Sequence, residues 1–193
     1  MELVFATHNL NKLNEVRLLL PKHINLLSLA DIGCTDEIPE TENTLEGNAL
    51  IKANYVLTHF GYNCFADDTG LLVDALDGAP GVYSARYAGA KNNAQANIDK
   101  LLLELQHSSV RTAHFKTVIA LLWQGKSHFF TGTVHGDITY EPRGTGGFGY
   151  DPVFKPDGYD KTFAELPMAV KNNISHRGNA LKKLLEYLHL QAS

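Results

Sequence analysis

Two β-prone stretches in the middle of the chain place the tightest constraint on its fold. Residues 113–123 and 127–140 are rich in β-branched and aromatic side chains, and they are separated by only Gln124, Gly125 and Lys126. So short a connection predicts a β-hairpin, because strands joined by a tight turn run antiparallel. A purely parallel sheet is therefore excluded.

Strands and helices alternate on either side of this hairpin. Residues 2–6 predict a strand, and an amphipathic helix follows and ends at Pro21. We further predict a short strand at 64–66, a turn at Gly70, and helices at 45–60, 94–105 and 178–190. Residues 77–93 and 142–160 are predicted loops. The mixture indicates an α/β fold with a mixed sheet, and since no linker interrupts it, we expect one domain spanning residues 1–193.

Charge and hydropathy argue against nucleic-acid and membrane partners. The net charge is −4 and no basic run is present, which disfavours a general nucleic-acid groove. No apolar run approaches the length of a membrane span, and no signal-peptide pattern opens the chain, so we expect a cytoplasmic protein. Cys34 and Cys64 lack metal-ligand spacing and are expected to be reduced thiols.

An acidic pair, Asp67 and Asp68, follows the predicted strand at residues 64–66. Neighbouring side chains on an extended chain point to opposite sides, so one carboxylate can face a site while the other is structural. Mg²⁺ is commonly held by a few carboxylates, waters and phosphate oxygens. The alternative to a metal site is that the two aspartates form an acidic turn that ends at Gly70. A second metal ligand could come from the acidic run that contains Glu37, Glu40 and Glu42. The alternative is that this run is a solvated loop.

The loop after the first predicted strand suits a polyphosphate. It combines backbone donors with Lys12 just before a helix, whose dipole favours anions. The alternative is an ordinary helix cap provided by Asn9 or Asn11. The loop consists of Thr7, His8, Asn9, Leu10, Asn11 and Lys12.

The glycine-aromatic segment at residues 144–152, GTGGFGYDP, is the most unusual in the chain. Phe148 and Tyr150 could stack on a base, and Asp151 could accept hydrogen bonds or hold a lysine. A tight turn is the alternative. A further polar group precedes the last predicted helix and suits a phosphate or carbonyl oxygen: Lys171, Ser175, His176 and Arg177.

Taken together, six ordered segments resemble the inosine triphosphate pyrophosphatase family. They are ATHNLNK, ENTLEGNALIKA, FADDTGL, GAPGVYSARYAG, GTGGFGYDPVF and KNNISHRGNAL. The resemblance covers nearly the whole chain. It implies an elongated, two-lobed α/β fold around a long mixed sheet with flanking helices, an active site in the cleft between the lobes, and a homodimer. It also implies Mg²⁺-dependent hydrolysis of ITP, dITP and XTP to the monophosphate and pyrophosphate, which removes deaminated purines from the nucleotide pool.

The resemblance also implies a role for individual residues. Asp68 would be the proton acceptor and a magnesium ligand, with Glu40 as the other ligand, although Glu37 and Glu42 remain alternatives. Lys52 is a further candidate for binding phosphate charge. The implied substrate contacts are Thr7, His8, Asn9, Leu10, Asn11, Lys12, Thr69, Phe148, Gly149, Tyr150, Asp151, Lys171, His176 and Arg177.

This chain departs from the family pattern at two of these positions. His8 stands where glycine is frequent, and Thr69 stands where serine is common. Both side chains can still form hydrogen bonds, so neither departure removes the resemblance.

Two other functions are compatible with parts of the pattern. A phosphatase forming an aspartyl-phosphate would use the Asp67–Thr69 run, but such enzymes need two aspartates separated by one residue. A nucleotide sensor would bind a triphosphate without cleaving it, but binding alone needs positive groups and no carboxylate that activates water. The acidic pair therefore favours the hydrolase.

Overall fold

The computed structural model describes residues 1–89 and 93–191, which form an α/β structure. Residues 90–92 of the loop predicted at 77–93 lie outside the described residues. The strands are β1 (Glu2–Phe5), β2 (Asn25–Ser28), β3 (Cys64–Val73), β4 (Pro80–Gly81), β5 (Thr112–Trp123), β6 (Lys126–Ile138) and β7 (Phe154–Pro156). The helices are α1 (Leu10–Leu19), α2 (Leu45–Phe60), α3 (Ala94–Glu104), α4 (Met168–Ile174) and α5 (His176–Gln191).

One mixed sheet contains the seven strands of the described ranges. Its order is β2-β1-β3-β5-β6-β7, and β4 pairs with β3. β1 runs parallel to β2 and β3, whereas the β3–β4 and β6–β7 pairs are antiparallel. Gln124 and Gly125 join β5 to β6 with φ values of 50° and 74°, and left-handed residues at both positions are typical of a tight hairpin turn. The predicted hairpin and mixed α/β class are confirmed.

Local signals also set the ends of α2. The Oγ1 of Thr44 accepts a hydrogen bond from the backbone N–H of Gly47, which caps the first turn. Gly61 ends the helix in the left-handed conformation at φ 74°, which glycine adopts without a Cβ penalty. The predicted end of this helix is therefore confirmed.

The prediction that Gly70 turns the chain is wrong, because Gly70 lies inside β3. A Cβ on Gly70 would come 2.7 Å from the carbonyl oxygen of Gly81 in β4. Glycine is needed here for the close approach of the neighbouring strand. Four other strands and helices were not predicted, namely β2, β4, β7 and α4, and α5 begins two residues earlier than expected.

The chain divides into two compact units. Unit 1 comprises Met1–Asp68, Thr117–Gly132 and Arg177–Ser193, and unit 2 comprises Thr69–Lys116 and Thr133–His176. In unit 1, Phe5 and Phe65 stack with ring centroids 4.6 Å apart. In unit 2, the corresponding aromatic packing joins Phe115, Phe154 and Phe163.

Two further features of the described residues bear on the sequence predictions. Cys34 and Cys64 are buried free thiols, as expected. None of the helices within the described ranges has the length and apolar character needed to cross a bilayer.

Candidate active site

The two adjacent aspartates of β3 have different surroundings within unit 1. Asp67 is buried, and its carboxylate accepts hydrogen bonds from Nζ of Lys12 at 2.9 Å and from Nε of Arg177 at 3.0 Å. Burial alone would raise the pKa of Asp67, but the charges of Lys12 and Arg177 hold it well below its ordinary value. Asp67 therefore remains a carboxylate and neutralises two cations, the buried Arg177 and the partly buried Lys12.

Asp68 lies in a different environment, although it too is largely buried. Its Oδ2 accepts a hydrogen bond from Nδ2 of Asn48 at 3.2 Å, and its Oδ1 lies 4.0 Å from Nζ of Lys52. Burial raises the pKa of Asp68, and the positive charges of Lys52 and Lys12 only partly oppose this. A carboxylate with a raised pKa accepts a proton more readily, which suits a general base.

The ammonium of Lys52 links the acidic run to β3. It donates to Oε1 of Glu40 at 2.6 Å and to the backbone oxygen of Asp67 at 2.7 Å. Burial by itself would lower the pKa of Lys52, but Asp68, Glu40 and Asp67 together raise it. The carboxylates of Glu40 and Asp68 therefore approach one permanently charged group.

The carboxylates of Glu40 and Asp68 suit a magnesium ion, which needs few protein ligands, better than a metal that is bound by protein side chains alone. Among the described residues, no group of three or more His, Cys, Asp or Glu side chains could hold a metal. Glu40 and Asp68 supply hard oxygen ligands, and Mg²⁺ typically binds one or two carboxylates and completes its shell with water and phosphate oxygens. The donor set thus matches Mg²⁺ in both type and number.

Residues 7–12 form the N-terminal cap of α1. The Oδ1 of Asn9 accepts hydrogen bonds from the backbone N–H groups of Asn11 and Lys12, and Oγ1 of Thr7 accepts from that of Asn9. Nε2 of His8 lies 2.8 Å from the carbonyl oxygen of Asp36. Asn9 is therefore the capping residue, one of the two candidates from the sequence. Burial lowers the pKa of Lys12, against the opposing effect of Asp67.

In unit 2, a buried ion pair shapes the glycine-aromatic segment. The Oδ2 of Asp151 accepts from Nζ of Lys171 at 2.6 Å and from the backbone N–H of Phe148 at 2.8 Å. The Lys171 ammonium lies 4.9 Å from the ring centroid of Phe148. Gly147 has φ +70°, and a Cβ on it would come 2.0 Å from Oδ2 of Asp151. Asp151 thus fixes the backbone that carries the Phe148 ring.

Two aromatic residues predicted to contact substrate are built into the packing of unit 2. His176 is buried and stacks on Phe115 with ring centroids 4.5 Å apart. The hydroxyl of Tyr150 donates to the carbonyl oxygen of Ser84 at 2.8 Å, and burial raises the pKa of Tyr150. Both side chains therefore have fixed orientations.

The remaining predicted substrate contacts fall in different surroundings. Arg177 belongs to unit 1, where it pairs with Glu15 as well as with Asp67. Thr69 and Gly149 are half-buried in unit 2, and Leu10 at the start of α1 is 71% exposed. None of these placements tests substrate contact, so their roles remain predictions.

Sequence reasoning did not identify Asn48 and Glu15 as parts of this site. Asn48 and Lys52 lie four residues apart on α2, and this spacing could have indicated that they act together. Glu15 and Arg177 are 162 residues apart, and no local pattern connects them.

Comparisons with known proteins identify similar sequences and a similar solved structure. The chain matches the model of the Ham1 family over residues 3–187. It is 56% identical over 188 residues to the dITP/XTP pyrophosphatase of Flavobacterium johnsoniae, which covers 97% of this chain and 98% of that protein. It is 58% identical over 188 residues to the dITP/XTP pyrophosphatase of Christiangramia forsetii, covering 97% and 99%. The solved structure of the Staphylococcus aureus Ham1 protein is similar with a TM-score of 0.90 at 38% identity, covering 99% of this chain and 100% of that one.

Proposed function

This chain belongs to the Ham1 family, and we propose that it hydrolyses the non-canonical purine nucleoside triphosphates ITP, dITP and XTP to the nucleoside monophosphate and pyrophosphate, with Mg²⁺ as its cofactor. At the site, the main support for the proposal is that two carboxylates approach the ammonium of one lysine. Glu40 and Asp68 come from distant parts of the chain, and both lie within 4.0 Å of Nζ of Lys52. Such an arrangement suits a metal-assisted attack on a phosphate.

Glu40 and Asp68 would hold the magnesium ion. When bound, this ion would neutralise phosphate charge and make water a better nucleophile. The choice of Glu40 over its neighbours is supported by its ion pair with Lys52. Glu42 instead contributes its backbone N–H to Asn48.

The protein's own groups would bind the triphosphate and activate water. Lys12 and the N-terminal end of α1 both favour an anion. Asp68 would accept the proton of the water that attacks the α-phosphorus, and pyrophosphate would leave. Lys52 would hold the Asp68 carboxylate in place and contribute positive charge. Positioning and electrostatics account for most of the catalysis of such reactions, so few protein groups need to change their bonding.

Unit 2 would recognise the base. Phe148 would stack on the purine, and donors from Lys171 and His176 would favour the 6-oxo group of hypoxanthine or xanthine. Adenine carries a 6-amino group there, which would leave buried donors without an acceptor, and such mismatches discriminate strongly. The buried Asp151–Lys171 pair supports this role because it fixes the backbone at Phe148. A substrate contact is also proposed for Arg177, which belongs to unit 1. Further contacts are proposed for Thr7, His8, Asn9, Leu10, Asn11, Thr69, Gly149, Tyr150 and Asp151.

A product assay tests the reaction. The protein is incubated with ITP, XTP, ATP or GTP and Mg²⁺, and the products are identified. We expect pyrophosphate and monophosphate from ITP and XTP, with much slower turnover of ATP and GTP. Release of orthophosphate in place of pyrophosphate would refute the proposal. Trapping a phosphoenzyme would favour the aspartyl-phosphate alternative, and tight binding without turnover would favour a nucleotide sensor.

A single substitution tests the proposed base. Asp68→Asn preserves the size of the side chain and removes its ability to accept a proton. We expect turnover to be abolished while nucleotide binding persists. Near-normal activity in this variant would exclude the role assigned to Asp68.

Three further parts of the proposal rest on the sequence: the homodimer on the family resemblance, and the location and the lack of nucleic-acid binding on composition and charge. We propose that the protein is a homodimer, that it acts in the cytoplasm, and that it binds no nucleic acid. Light scattering after size-exclusion chromatography tests the first of these. A monomeric mass at micromolar concentration would contradict it.

A further inference from the structure

The side chain of Asn48 lies beside Asp68, and no step of the proposed reaction uses it. It is 0% exposed. Its Nδ2 donates to Oδ2 of Asp68 at 3.2 Å, and its Oδ1 accepts from the backbone N–H of Glu42 at 2.9 Å. One amide group therefore holds two segments that are remote in the sequence.

The bond to Asp68 distinguishes the two oxygens of that carboxylate. Oδ2 faces the Asn48 amide, whereas Oδ1 faces the ammonium of Lys52 at 4.0 Å, beyond hydrogen-bond distance. Asn48 and Lys52 lie one turn apart on α2, so one rigid helix presents a group to each oxygen. The amide donates without taking part in proton transfer, so its bond can persist while Asp68 changes its charge.

The bond to Glu42 acts on the acidic run. Glu40 lies two residues before Glu42, so fixing the backbone at Glu42 restricts the positions available to the Glu40 carboxylate. Lys52 binds that carboxylate from the next turn of α2. Side chains on one face of α2 therefore contact Asp68 and the segment that carries Glu40, the two proposed metal ligands.

We propose that Asn48 is a positioning residue for the hydrolysis, which orients the Asp68 carboxylate through Oδ2 and holds the Glu40–Glu42 backbone in register with it. This inference rests on the proposed roles of Asp68 and Glu40. Asn48 does not touch the reacting atoms. It acts through the two carboxylates, and its loss changes their geometry rather than the charge of the site.

Two substitutions test the contact with Asp68: Asn48→Asp removes the donor and adds a negative charge, and Asn48→Ala removes the donor without adding one. Aspartate has nearly the same size and retains an acceptor for the Glu42 N–H, but it replaces the donor to Asp68 with an oxygen. We expect kcat for ITP to fall on the order of 10- to 100-fold, as slight misplacement of a catalytic group does. KM should stay within about threefold, because Lys12 and the base-recognition residues are unchanged.

Two measurements separate this role from a merely structural one. The affinity for a non-hydrolysable ITP analogue in EDTA, measured by calorimetry, should stay within about threefold of the wild type. Thr44→Ala provides a matched control, because it removes the cap of the same helix without touching Asp68. We expect Thr44→Ala to lower Tm with no change of kcat per folded enzyme. If Asn48→Asp does not fold, Asn48→Ala removes the same donor without adding a charge.

The outcomes distinguish this inference from the proposed function. A wild-type kcat for the Asn48 variant, together with an inactive Asp68→Asn variant, would overturn the inference alone. A loss of kcat accompanied by an equal loss of metal-free binding would also overturn it, because the defect would then be structural. An active Asp68→Asn variant would refute the proposed reaction itself.

Discussion

The adjacent aspartates of β3 allow the same substitution to be compared in two environments. Asp67→Asn removes the charge that neutralises the partly buried Lys12 and the buried Arg177. Breaking a buried ion pair by removing one partner typically costs about 3–5 kcal/mol of the free energy of unfolding. For a chain of this length, that cost corresponds to a fall in Tm of roughly 6–20 °C.

Asp68→Asn should not lower the free energy of unfolding as Asp67→Asn does. The pKa of Asp68 is raised in the folded protein, so its ionised form is disfavoured by folding at pH 7, and removing the charge relieves this penalty. We therefore expect Asp68→Asn to leave the free energy of unfolding unchanged or to increase it, while abolishing turnover. Activity and stability would then be opposed at this residue, because the proposed reaction needs a buried carboxylate that is costly to the fold.

Equilibrium unfolding in urea with EDTA present, at pH 7 and at lower pH, measures both effects. Because the folded-state pKa of Asp67 is depressed, its contribution to stability is complete above an unfolded-state value of about 3.9 and is lost only as pH falls through the folded-state pKa. The gap between wild type and Asp67→Asn should therefore remain constant from pH 7 to about pH 5. A cost below about 1 kcal/mol for Asp67→Asn, or an equal cost for both variants, would refute this account.

Three further predictions follow from other parts of the site. Gly147→Ala places a Cβ 2.0 Å from Oδ2 of Asp151 and should raise KM for ITP at least about 10-fold. Gly158→Ala has a similar φ with nothing within 4 Å of its Cβ and should change KM much less, so equal KM values would contradict the steric argument. Because the pKa of Lys12 is lowered, KM should rise with pH before a normal lysine deprotonates, and Lys12→Arg should flatten this rise; an unchanged pH profile in that variant would exclude Lys12 as its source. Chelation of Mg²⁺ should stop turnover and added Mg²⁺ should restore it, and full activity in EDTA would exclude a metal-dependent reaction.

Local features of the chain were sufficient to predict the elements whose ends depend on nearby residues. The end of α2 at Gly61 and the hairpin at Gln124 and Gly125 were predicted because the backbone conformation at these positions depends on the residue type. The length of β3 could not be predicted in this way. By sequence Gly70 resembles a turn residue. In the structure it is a strand residue at which an added Cβ would lie 2.7 Å from the carbonyl oxygen of Gly81.

For the site, the sequence alone predicted that two adjacent aspartates have different surroundings, because side chains alternate along a strand. It also led to the predictions, still untested, of carboxylates for a metal, a lysine for phosphates and aromatic rings for a base. Only the tertiary structure decided that Asp67 pairs with Lys12 and Arg177 and that Asn48 donates to Asp68. Those assignments depend on contacts with Arg177 and Lys12 on one side and with α2 on the other. Burial and charge pairing arise between residues that are distant in the chain, so no local pattern can encode them.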